Sequence, residues 1–94
     1  MDNSTEFLVE FLERFWLKNE EVRFSAIEIA LYHYLMIQIT KGKDRHTNIK
    51  ITDVLSTSEK TFLKARATLI KHKLIDYQAG NRAEITKYVI GSFQ

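Results

Sequence analysis

Apolar residues recur every three to four positions through residues 7–17, where Phe7, Leu8, Phe11, Leu12 and Phe15 form one stripe. The spacing predicts a helix over Ser4–Lys18, with Asn3 and Glu6 set three apart as in a capping box. Val9, Trp16 and Leu17 fall off the stripe, so they either pack elsewhere in the same domain or offer a face to a second copy. Lys18–Phe24 is polar enough to predict a connector. Ser25 with Glu28 makes another capping box. From Ala26 to Lys41 the chain is apolar nearly all round, through Ile27, Ile29, Ala30, Leu31, Tyr34, Leu35, Ile37 and Ile39. That is the pattern of a central helix, and it is shorter than the ~20 residues a membrane span needs.

Lys41–Asn48 predicts a charged loop, Ile49–Ile51 a short strand, and Thr52 a cap for a short helix over Asp53–Ser56 with Thr57 in the turn behind it. Ser58 caps a longer helix through Lys73. On its wheel Phe62, Leu63, Ala65, Leu69 and Ile70 share one side, whereas Lys60, Thr61, Lys64, Thr68 and Lys71 share the other. Beyond Lys73 the residues become β-branched and aromatic, in Leu74–Tyr77 and Glu84–Ile90, and Gly80-Asn81 marks a turn between them. The predicted fold class is mainly α with a small β-hairpin: a winged helix-turn-helix in one domain over 1–94, with residues 1–24 as N-terminal helix and connector and 25–90 as the core.

The chain has 94 residues, no cysteine and no proline. Without cysteine there are no disulfides and no thiol catalysis, which fits a cytoplasmic protein. The opening residues MDNSTEF are acidic and polar, unlike a secretory signal. The net charge of +2 conceals an asymmetry. Residues 1–40 hold three basic and seven acidic side chains, whereas residues 41–94 hold eleven basic and five acidic. A half this basic points to an anionic partner, double-stranded DNA first.

In a helix-turn-helix the second helix lies in the major groove and the hairpin touches the backbone beside it. The candidate DNA-binding residues are therefore Thr57, Ser58, Lys60, Thr61, Lys64, Thr68 and Lys71, with Arg82 at the hairpin tip. Asn81 and Lys87 accompany Arg82, and Lys41, Lys43 and Arg45 extend the basic surface. The helix offers no arginine, asparagine or glutamine on its outer face, so contacts to phosphates dominate those to bases. Arg66 falls on the apolar side of the wheel and requires a partner; Glu28, on a face of the second helix beside Leu31 and Leu35, is the expected one. The histidines His33, His46 and His72 lack metal-ligand spacing, so no metal or cofactor is expected, and His72 is left as a phosphate contact. No catalytic constellation is visible, and the chain does not read as an enzyme.

Ser25-Ala-Ile-Glu-Ile-Ala-Leu-Tyr-His-Tyr-Leu35, Ser58-Glu-Lys-Thr-Phe-Leu-Lys-Ala-Arg-Ala-Thr-Leu-Ile70, Leu74-Ile-Asp-Tyr77 and Tyr88-Val-Ile90 resemble the N-terminal winged-helix domain of DnaD-like replication-initiation proteins, a group that includes phage replisome organisers. The resemblance spans Ser25–Ile90. It implies a role in replication initiation, with other replication proteins as partners, and an oligomerising domain. A homodimer through Val9, Trp16 and Leu17 is the matching expectation. Lys73 stands where that family usually has glycine, and the tryptophan the family carries after the second helix is absent from this loop.

Overall fold

A computed structural model describes residues 3–79 and 85–91, with side chains from Glu6 onward. The elements are α1 (Asn3–Val22), α2 (Ala26–Thr40), β1 (Arg45–His46), α3 (Asn48–Val54), α4 (Glu59–Lys71), β2 (Ile75–Ala79) and β3 (Thr86–Ile90). The fold is α+β, mainly helical with a three-stranded antiparallel sheet in the order β1-β3-β2.

α1 runs a turn longer than the polarity of Lys18–Phe24 suggests. That segment contains neither glycine nor proline, and Val22 repeats the apolar stripe seven residues after Phe15. Asn19 closes the helix: its carbonyl accepts from Arg23 N at 2.9 Å and its Oδ1 accepts from Phe24 N at 2.8 Å. Of the predicted stripe, Phe15 is fully buried and Leu8, Phe11 and Leu12 partly so, but Phe7 is 57% exposed. Phe7 sits on an open, mainly apolar groove of about 430 Å3 between α1, α2 and β3. The Asn3–Glu6 capping box lies outside the described side chains.

α2 begins as expected. Ser25 Oγ accepts from Glu28 N at 3.3 Å and Glu28 Oε1 accepts from Ser25 N at 2.8 Å. α2 packs against α1, α4 and β3, and its Leu31, Tyr32, Leu35 and Met36 are buried. With Phe15, Phe24, Ile51, Phe62, Ala65, Leu69, Ile75 and Tyr88 they make the core. Tyr32 is 1% exposed, and burial pushes its phenol pKa up to about 12, with the Arg14 charge pulling the other way.

The Lys41–Asn48 loop and the strand expected over Ile49–Ile51 are both corrected. The strand is Arg45–His46, inside the supposed loop, and it pairs with β3 at Lys87 and Thr86. Thr47, not Thr52, caps the short helix, taking Lys50 N on its side-chain oxygen at 3.1 Å. Ile51 is buried and Ile49 is 78% exposed because their period is helical: Ile51 and Leu55, four apart, face inward together. Thr52 lies within the helix, its hydroxyl donating to the Ile49 carbonyl at 3.0 Å.

Three helix ends share one geometry. Beyond α2, Lys43 N reaches Gln38 O and Gly42 N reaches Ile39 O; beyond α3, Thr57 N reaches Thr52 O and Ser56 N reaches Asp53 O. Beyond α4, Leu74 N reaches Leu69 O at 3.0 Å and Lys73 N reaches Ile70 O at 2.9 Å. Each is a Schellman motif, which needs a left-handed residue after the cap. Gly42 fills that position at φ +80°, but Ser56 at φ +53° and Lys73 at φ +61° are not glycines. A side chain there is strained, so Lys73→Gly is expected to raise stability by about 0.5–1 kcal/mol in urea denaturation. A loss of stability would mean that the Lys73 side chain contributes more than its backbone strain costs.

β2 and β3 form the predicted hairpin, pairing Ile75 with Ile90 and Ala79 with Thr86. The Gly80-Asn81 turn and Arg82 lie outside the described residues.

Candidate nucleic-acid interface

α4 turns Phe62, Ala65 and Leu69 into the core and leaves Lys60, Thr61, Lys64, Ala67 and Lys71 exposed. Ser58 is exposed at its start; Thr57 and Thr68 are half-buried. The described residues thus bring the predicted set onto one helix and the turn before it, Arg82 excepted. None of Lys60, Lys64 and Lys71 forms an ion pair among the described residues. Their ammonium groups are available to an anion.

The hydroxyls are not equivalent. Ser58 Oγ accepts from Thr61 N at 3.1 Å and donates to Thr61 Oγ1 at 3.0 Å, so Ser58 is used in capping. The Thr68 hydroxyl donates to the Lys64 carbonyl at 3.2 Å and is left only as an acceptor. Thr61 keeps a proton to donate. Of the three threonines in the candidate set, Thr68 is therefore engaged with its own helix.

Arg66 does not pair with Glu28. The Glu28 carboxylate is held by the Ser25 backbone. Arg66 instead donates from Nη1 to the Tyr88 hydroxyl at 3.1 Å, with its guanidinium over the Tyr77 ring at 4.1 Å and the Phe62 ring at 5.2 Å. Cross-strand pairing puts Tyr77 opposite Tyr88, so both rings reach the same cation. A flat guanidinium between aromatic faces needs no carboxylate. Burial raises the Tyr88 pKa, while the Arg66 hydrogen bond and charge act to lower it. The arginine bridges α4 to the sheet, as a structural residue.

The sequence reading missed Lys50 and the partner of Arg45. β1 pairing sets Arg45 directly opposite Lys87, and Lys43, Arg45 and Lys50 line a shared groove. A two-residue strand inside a charged loop gives almost no periodic signal. His72 caps α4 and meets Phe24 edge-on at 5.6 Å between centroids. His33 Nδ1 lies 2.8 Å from the Ile29 carbonyl.

On α1, Val9, Trp16 and Leu17 are 48%, 46% and 68% exposed. Packing within the same domain therefore leaves much of each uncovered. Trp16 keeps one edge on Phe15 and His33.

None of the protein-family models, curated proteins or solved structures compared with the chain matches it. Among the described residues no helix is long and apolar enough to cross a membrane.

Proposed function

We propose that the chain is a winged-helix module that binds double-stranded DNA in the cytoplasm, in replication initiation or transcriptional control, with α4 in the major groove. The observation that carries this reading is the exposed row Lys60, Lys64 and Lys71, without an ion pair among the described residues, on the second helix of a helix–turn–helix pair. The β1-β3-β2 sheet behind that pair supports it, since β2 and β3 are then the wing. The left-handed Lys73 supports the DnaD-like resemblance, because it occupies the position where that family has glycine. Binding would be dominated by the phosphate backbone, with Thr61 and Ala67 as the small side chains nearest the bases.

Duplex titration at two salt concentrations tests the reading. Wild type should bind more weakly at the higher salt, and Lys60→Ala/Lys64→Ala should lower the salt slope by about two. No salt-sensitive binding by wild type, or equal binding by the variant, sinks it.

The exposure of Val9, Trp16 and Leu17 favours a second reading, a protein-interaction module that dimerises through α1 in a replication complex. Sedimentation then shows a wild-type dimer that Trp16→Ala converts to monomer. Monomers for both forms count against it.

A further inference from the structure

β1 joins β3 in a register that places Arg45 opposite Lys87 and continues the row to Gln78 of β2. Cross-strand partners share a face. This one is the outer face, because the flanking Thr86 and Tyr88 of β3 are buried. Like charges directly opposite destabilise a strand pair, yet neither cation forms an ion pair among the described residues. Beside them is an open groove of about 470 Å3. Lys43, Arg45 and Lys50 line it with a single acid, Asp44. His46 Nε2 stands 2.8 Å from the Lys43 carbonyl and ties the loop to β1. The lining cations come from the loop, β1 and α3, and Lys87 of β3 stands across from Arg45.

We propose that this groove holds a phosphodiester of nucleic acid, as a second backbone contact beside that of α4. The inference rests on the reading of the chain as a DNA-binding module. A row of cations along a groove suits a polymer with regularly repeated negative charge better than a lone carboxylate. Arg45 supplies a planar fork that can take two phosphate oxygens, and the lysines supply point charges. None of these contacts reads a base, so they add affinity without sequence preference.

The test is a salt series of duplex binding with Lys43→Gln/Arg45→Gln/Lys50→Gln beside Lys60→Ala/Lys64→Ala, on two duplexes of unrelated sequence. The triple variant should lower the salt slope by about two to three and weaken binding equally on both duplexes. A wild-type slope for the triple variant, with binding by the α4 variant reduced, overturns the groove and leaves the α4 reading intact. Loss of binding in the triple variant alone supports the groove and removes α4. No binding by wild type removes both. The thermal midpoint of the triple variant should equal or exceed wild type, since a repulsion is relieved. Should it fall, Lys43→Gln/Lys50→Gln serves instead, with a slope lower by about two expected and an unchanged slope counting against the groove.

Discussion

Replacing Phe15 by alanine is expected to destabilise the protein by about 3–5 kcal/mol. Phe15 is fully buried, stacked on Tyr32 at 4.4 Å and on Phe24 at 5.1 Å between centroids, with Trp16 and His33 edge-on. Among the described residues it is the one of α1 in the buried core. Such a loss is a large fraction of the ~5–15 kcal/mol that holds a typical domain together. The thermal midpoint should fall by roughly 10 °C or more. A change below about 1 kcal/mol, where surface substitutions fall, would make α1 an appendage of a self-sufficient α2–β3 unit.

The second large effect is at Arg66. Arg66→Ala removes a charge-assisted hydrogen bond to Tyr88 and the stacking over Tyr77 and Phe62. The expected cost is about 2–3 kcal/mol. A double-mutant cycle identifies the partner. Arg66→Ala with Tyr88→Phe should show a coupling of about 1 kcal/mol or more, whereas Arg66→Ala with Glu28→Gln should be additive. Coupling to Glu28 in place of Tyr88 would restore the ion pair that the wheel suggests and contradict the geometry. Both variants leave the lysines of α4 in place, so an effect on DNA binding would have to act through the fold.

Much of this architecture was legible because the long elements carry strong periodic signals. Ser25, Glu28 and the run to Thr40 named α2, and Ser58 with the two faces of α4 named the candidate interface. Arg23, Ser56 and Lys73 end helices in left-handed conformations with no glycine to announce them, and the polar end of α1 reads as a connector although it is helical. Ile49-Lys50-Ile51 alternates like a strand, but three residues cannot separate a period of two from one of 3.6. The periodicity of α4 puts Arg66 on its inner side, where it meets Phe62 and Tyr88, but does not identify that partner. A wheel ranks faces and says nothing of which distant strand brings a hydroxyl and an aromatic ring to meet the charge.

The acidic side chains of α1 have a consequence at long range. Glu6, Glu10, Glu13, Glu20 and Glu21 are all exposed on that helix, while the surplus of cations lies in residues 41–94. The net charge of +2 therefore understates how unevenly charge is divided between α1 and the rest of the molecule. A polyanion attracts one part of it and repels the other, so its field turns the protein before contact is made. The longest dimension is 36 Å, several times the ~8 Å screening length of physiological salt. Orientation by torque is then a low-salt effect: dilution of salt should quicken productive encounters, and added salt should make approach nearly blind to which face leads.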